Sequence, residues 1–313
     1  MYTYRPVLEE DYPAIARIRN SHRPEPATAE MVKLITEREA PLCAHRLHLA
    51  AVGPLGETVG EVMAVQDGDS PPGEWYAVLG VLPEHRGLGV AAELYRRAEA
   101  FARERGARLM RLRVGGGQEA GYQFALKLGY TLERVRAEAV LYLQDWDGAR
   151  FGKQIASVRA SGIRLMSLPA LTGEGLLHQI YDLEMETLEE APYFTGHHPP
   201  YEIWAREHTN LEPGEQFCTL ALDGEKLVGV STIYLPLPPG RGARQGYTGV
   251  RRAYRGRGIA LALKLINIKE CKARGAELIR TNTDPELAAV QAMNAKLGFR
   301  TVPGPRMMVK RFE

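Results

Sequence analysis

The 313-residue sequence has little net charge, few cysteines and no long apolar run, and each shortage removes a class of function. Its 40 Lys and Arg stand against 38 Asp and Glu, so no global field draws nucleic acid or an anionic membrane to it. Any anion must be bound by local arginine clusters. The cysteines, Cys43, Cys218 and Cys271, lie far apart without CxxC or metal-ligand spacing, and their odd number argues against a disulfide framework. They read as reduced thiols and suit a cytoplasmic protein. No stretch reaches about 18 consecutive apolar residues, and the start, MYTYRPVLEEDYPAI, lacks a secretory apolar segment. Neither membrane nor export is expected. His197-His198 in a Pro-rich loop lacks ligand spacing, so no metal is expected.

What is present is a repeat. Sliding the sequence by 169 positions sets Arg86, Gly87, Gly89 and Ala91 on Arg255, Gly256, Gly258 and Ala260. In the same register Val59-Gly60 falls on Val228-Gly229, Gly80-Val81 on Gly249-Val250, Arg105-Gly106-Ala107 on Arg274-Gly275-Ala276, and Lys127-Leu128-Gly129 on Lys296-Leu297-Gly298. That period is too long for a solenoid, which leaves two copies of one domain. The expected division is residues 1–145, a linker over 146–160, and residues 161–313.

Each copy reads as two helices (12–19 and 29–38; 174–188 and 201–208), then a hairpin (48–52 with 58–65; 217–222 with 226–234). An apolar strand follows, then a glycine turn, and then a helix stopped at Gly106 or Gly275. A strand, a short helix and a last strand complete the copy. The expected fold is α/β of the α+β type, with each copy a mixed, mostly antiparallel sheet flanked by helices. The glycine turn is a place for an anion, because a helix start has N–H groups without partners and glycines let a phosphate approach them. It lacks the Gly-Lys-Ser/Thr of a P-loop and the third glycine of a dinucleotide fingerprint.

What remains, Arg-x-x-Gly-x-Ala after a strand and before a helix, resembles motif A of the GNAT superfamily of N-acetyltransferases, once in each half. Lys127-Leu128-Gly129-Tyr130 and Lys296-Leu297-Gly298-Phe299 resemble the end of its motif B. The resemblance implies acetyl-CoA as co-substrate without a metal, and a small-molecule amine as acceptor, in a monomer or homodimer. It places Val81 and Leu82, and Val250 and Arg251, beside the pantetheine arm. It places Arg86, Gly87, Leu88, Gly89, Val90 and Ala91, and Arg255, Gly256, Arg257, Gly258, Ile259 and Ala260, around the pyrophosphate. Thr281-Asn282 and residues 293–299 further resemble the C-terminal half of the tandem group that includes mycothiol synthase, although Leu287 stands where that group often has Asn. By this resemblance Asn282 and Asn294 hydrogen-bond the pantetheine or the developing thiolate.

The chemistry is less legible. Amine acetylation needs an acceptor held against the thioester, a group to take its proton, and stabilisation of oxyanion and thiolate. The family's motif B Tyr is replaced by Ala125 and Asn294. Glu74 begins the relevant strand in copy one, and Tyr247 is the nearest ionisable side chain in copy two. Copy two also has Asp182, Glu184, Glu186, Glu189 and Glu190 on its first helix, with Glu186 and Glu190 one turn apart and able to hold an ammonium. Gly115-Gly116-Gly117-Gln118 is expected to break the start of the copy-one helix, which leaves copy two as the catalytic half, through Asn294, Tyr247 and Glu186. No cysteine or serine sits in a nucleophile setting, so direct attack is expected. The alternatives are a non-catalytic acyl-CoA binding or sensing protein, and a mycothiol synthase-like acetyltransferase.

Overall fold

A computed structural model describes residues 1–21, 26–169, 171–191, 194, 196–211, 214–235 and 242–312. Period-two apolar runs become strands and glycine-stopped runs become helices, in the order the repeat requires. The first copy runs β1 (Thr3–Pro6), α1 (Tyr12–Asn20), α2 (Ala29–Glu39), β2 (Cys43–Val52), β3 (Thr58–Asp67), β4 (Glu74–Val81), α3 (Val90–Arg103), β5 (Leu109–Val114), α4 (Glu119–Lys127) and β6 (Thr131–Val135). Next come β7 (Ala137–Tyr142), α5 (Gly152–Ala160), β8 (Ile163–Leu168), α6 (Glu174–Leu188), α7 (Tyr201–Thr209), β9 (Gln216–Asp223), β10 (Lys226–Tyr234) and β11 (Gly242–Val250). The chain ends with α8 (Ile259–Ala273), β12 (Leu278–Thr283), α9 (Ala288–Leu297), β13 (Arg300–Val302) and β14 (Arg306–Arg311).

Two 7-stranded sheets form, in the orders β1-β2-β3-β4-β5-β14-β6 and β13-β7-β12-β11-β10-β9-β8. All pairings among the described residues are antiparallel except β4 with β5 and β11 with β12. The first sheet packs Leu94 of α3 and Trp75, Met110 and Met308 of its strands into one core. The second buries both faces: Leu265 and Ile268 of α8 lie with Ile233 and Ile279, while Leu183 of α6 and Trp204 of α7 lie with Cys218 and Leu220.

The chain divides differently from the expected boundaries. The compact units are Met1–Val135 with Pro305–Glu313, and Arg136–Gly304. The last strand of each repeat belongs to the other repeat's sheet: β7 lies between β12 and β13, and β14 between β5 and β6. Periodicity identifies a strand but not its partner, so the exchange was invisible in the sequence. Residues 146–160, expected to be a linker, are packed structure. Trp146 Nε1 donates to Leu297 O at 3.0 Å, and Val158 of α5 is buried against Val250 and Ile259. The glycines at 115–117 do not displace the following helix either. They lie in the turn before it, with Gly117 at φ +80°, and α4 begins at Glu119, the repeat position of Ala288 where α9 begins.

A fragment of residues 1–145 carries β7 without its sheet and lacks β14, whose Met308 is fully buried and whose six residues pair with β5. We expect it to show no cooperative thermal transition by calorimetry, while the full chain does. A sharp melt of the fragment alone would contradict the exchanged-strand reading.

Candidate active site

In both units the site begins where two parallel strands stop pairing. β4 meets β5 from Glu74↔Leu109 to Ala77↔Leu112, and β11 meets β12 from Gly242↔Leu278 to Arg244↔Arg280. Beyond those residues the strands part. The first strand of each pair runs into a single 3-10 turn and then two left-handed glycines, Gly87 (φ +78°) and Gly89 (φ +81°), or Gly256 (φ +77°) and Gly258 (φ +79°). Alternating hand turns successive N–H groups to one side, and Gly89 and Gly258 are the N-caps of α3 and α8. An arginine braces each turn: Arg86 Nε donates to Val81 O and Arg255 Nε to Val250 O, both at 3.0 Å. A Cβ added at Gly87, Gly89 or Gly256 would meet nothing within 4 Å, whereas one at Gly258 would collide with Gln154 Nε2 on α5.

The proposed turn residues therefore have unequal roles. Gly87, Leu88 and Gly89, and Gly256 and Arg257, are exposed at the turn, while Val90 and Ile259 point into the core. Ala91 and Ala260 are half-buried in the first helical turn, and Val81, Leu82 and Val250 are buried at the strand ends. Arg251 is held by the protein itself, with Nε donating to Leu227 O at 2.9 Å.

The acidic pair of the second copy is committed. Glu186 forms an ion pair with Arg251 and Glu190 with Arg255, so these carboxylates brace the turn instead of standing free for an acceptor amine. Glu74 is likewise engaged by Arg111, which also takes Glu133 at 3.0 Å. Tyr247 is aimed by a bulge: Ser231 faces Thr248 and Ile233 faces Gln245, so one residue of β10 opposes Gly246 and Tyr247. Tyr247 N donates to Thr232 Oγ1 at 2.9 Å, and its phenol hydrogen-bonds Thr187 of α6. The matching β3–β4 pairing in the first unit is regular.

Two buried ionisable groups of the second unit that the sequence does not single out for catalysis, Glu184 and Lys264, are strongly perturbed. Glu184, one turn before Thr187 on the face of α6 that meets the sheet, is 6% exposed. Its Oε2 accepts from Trp204 Nε1 at 2.9 Å, while Oε1 is buried without a partner, as is Gln216 Nε2. Burial pushes its carboxyl up to about 7, with the indole hydrogen bond pulling the other way. On α8, Lys264 is 2% exposed and donates to Asn294 Oδ1 of α9 at 2.7 Å. Burial pulls its ammonium down to about 8. One signal for it was legible: a lone lysine in LALKLI, apolar on both sides. Asn282 lies on β12 beyond its pairing with β11, and its Oδ1 is buried and unpartnered. In the repeat register these four positions are Ile15, Tyr95, Ala125 and Arg113. There Tyr95 and Tyr130 share a hydrogen bond at 3.1 Å. Their burial pushes both phenols up.

A strand, a left-handed glycine turn and a helix beneath a parted parallel pair define an enzyme class that grips a phosphorylated carrier by backbone and admits its extended arm into a sheet. The chain belongs to the acetyltransferase (GNAT) family, whose model matches residues 12–130 and again 177–299, and it is an acyltransferase. The acyl donor of that family is acetyl-CoA. Among solved structures, the tandem GNAT protein from the clavulanic acid biosynthesis pathway shares the fold with a TM-score of 0.84 at 18% identity, over 99% of this chain and 98% of that one. A GCN5-related N-acetyltransferase from Sphaerobacter thermophilus shares it with a TM-score of 0.68 at 18% identity, over 99% and 95%. No curated protein matches the sequence. Both turns and the unpartnered Asn282 Oδ1 fit such a donor, the turns for its pyrophosphate and the amide for a polar group of its arm.

Asp is tolerated in the left-handed region and brings a negative charge to open amides. Gly256→Asp and Gly87→Asp should each remove one acetyl-CoA from the binding stoichiometry measured by isothermal titration. Unchanged stoichiometry in both would disprove the assignment of the turns. A second expectation concerns stability. Glu184 titrates from its ordinary 4.5 up to about 7, so the folded state holds the extra proton between those values and stability falls as pH rises through them. Glu184→Gln should abolish that fall in calorimetric scans and stabilise the second unit at pH 8 relative to the wild type.

Proposed function

We propose that the protein transfers the acetyl group of acetyl-CoA to a primary amine of a small molecule by direct attack, and that its second unit performs the transfer. The observation that carries this reading is Glu184, a buried carboxyl with one free oxygen, poised near neutrality on the helix that faces the bulged strand. An acceptor amine is mostly protonated at neutral pH and must lose a proton to react. A carboxylate with a pKa of about 7 can take that proton without being a permanent anion. When bound, acetyl-CoA supplies the activated acyl thioester.

The residues of the chain do the rest. Trp204 fixes one oxygen of Glu184 and leaves the other for the amine. Tyr247, locked to Thr187, stands on β11 beyond its pairing with β12, and its phenol lies 3.5 Å from the Glu184 carbonyl. Asn282 offers an amide to the incoming arm, and the ion pairs of Glu186 and Glu190 keep Arg251 and Arg255 in place around the turn. Burial raises all three thiols, Cys43 and Cys271 to about 12, which leaves no thiolate for a covalent acyl-enzyme and supports direct attack. The first unit keeps the turn but has Ile15 and Tyr95 where the second has Glu184 and Lys264, which suits a partner that binds but does not turn over.

The test is a panel of amines, amino acids, polyamines, aminoglycosides and cysteinyl aminosugars, followed by release of free thiol. The last class examines the narrower mycothiol synthase-like reading, which rests on Thr281-Asn282 and residues 293–299. With the acceptor found, Glu184→Gln should lower kcat by about 10²–10⁴ and remove the acidic limb of the pH profile near 7, leaving acetyl-CoA affinity in place. Ligand-induced stabilisation without thiol release across the panel would instead favour a binding or sensing protein.

A further inference from the structure

A buried cation without an anion calls for one from outside the chain. Among the described residues Lys264 has one hydrogen-bond acceptor, Asn294 Oδ1, for an ammonium that carries three donors, and beyond it only the Phe299 ring at 5.7 Å. No carboxylate among the described residues pairs with it, and burial is the sole cause of its lowered pKa. Its neighbours Leu261, Leu263 and Leu265 show that an apolar side chain would pack on this helix. A buried unpaired ammonium is strongly disfavoured by comparison. The contact also fixes an orientation. An ammonium can only donate, so the oxygen of the Asn294 amide faces Lys264 and its Nδ2 is turned away, with no hydrogen-bond partner among the described residues.

We propose that Lys264 is a positioning residue for the leaving sulfur: it locks the Asn294 amide with Nδ2 presented as a donor and places a positive charge behind it. This rests on the reading of the second unit as the transfer site. In the step it serves, the amine nitrogen bonds to the acyl carbon and the carbon–sulfur bond breaks, with its electron pair remaining on sulfur. Glu184 takes the proton that turns the ammonium into the free amine, and the second nitrogen proton, lost as the amide forms, passes to solvent. Sulfur departs as a thiolate and is protonated from solvent, so Lys264 gives up no proton and Asn294 contributes only a hydrogen bond. The first unit has Tyr95 and Ala125 at these positions and lacks the device.

The test uses the full chain and coenzyme A itself, with ionisation of the bound thiol followed through the ultraviolet absorbance of the thiolate as pH is varied. On the wild type the thiol should ionise about one pH unit lower than on Lys264→Met, which is about tenfold more thiolate at a given pH. Coenzyme A bound to the first unit contributes equally to both proteins and cancels in the difference. Asn294→Leu, which removes the amide and keeps the lysine, should lose the same shift. Equal thiol ionisation on wild type and both variants overturns the proposal. So does a large loss of coenzyme A affinity in Lys264→Met with thiol ionisation unmoved, since the cation would then serve the phosphates. If the variants do not fold, the wild-type Lys264 ammonium followed by NMR should rise in pKa with coenzyme A and stay unmoved with desulfo-coenzyme A; no rise with coenzyme A is the contrary result. Failure of the chain to bind coenzyme A at all by calorimetry overturns the parent reading as well, whereas the thiol result bears on Lys264 alone.

Discussion

The parting of a parallel strand pair sets the terms for everything around it. Hydrogen-bonding groups on the facing edges of β11 and β12 have each other only from Gly242 to Arg244 and from Leu278 to Arg280. The remaining residues of β11 pair on one side with β10, and those of β12 on one side with β7. Inner edges left in this way need a partner, and an extended amide-bearing chain is the natural one. The glycine turn follows from the same constraint. A strand that leaves its neighbour must turn sharply into its helix, and two left-handed glycines do this while aiming amides at the mouth of the opening.

On this common frame the two units differ in what they bury. At the matching positions the first encloses Ile15 and a tyrosine pair that satisfies itself, Tyr95 with Tyr130, and its own buried carboxylate, Glu61, is fully paired by Arg19 and His48. The second encloses a carboxyl and an ammonium, each with hydrogen-bonding capacity left over. The bulge that turns Tyr247 toward α6 is likewise confined to the second unit. The frame is therefore common to both units, and the differences are what the proposed division of chemistry between them rests on.

The frame was readable because it is written locally. The two hairpins, the glycine turns, and helix stops such as Gly106 and Gly275 are punctuation that a single stretch of chain expresses. The exchanged strands β7 and β14 were not readable, since a strand's pattern gives its faces but not its neighbour. Glu186 and Glu190 were read as available because one turn of spacing says that two carboxylates meet. It does not say that Arg251 and Arg255, more than 60 residues on, arrive first. Glu184 sat in the same acidic run. Its difference from Glu186 is that it faces the sheet, which needs the helix rotation and the Trp204 partner to be known. Lys264 was the more legible miss, because a lysine between leucines on a buried helix is itself an anomaly.

Why retain two ionisable groups where apolar ones would be more stable? Glu184 carries a charge above about 7, and Lys264 carries one below about 8. Between these values both are ionised and both desolvation penalties are in force, so this is where the second unit is least favoured by its own interior. It is also where the two proposed roles coincide, a carboxylate able to accept a proton and a cation able to meet a developing anion. A purely structural pair would have been placed in contact, each neutralising the other. Here Glu184 faces α7 and β9 while Lys264 faces α9, and each keeps its free valence for a group that the chain does not itself contain.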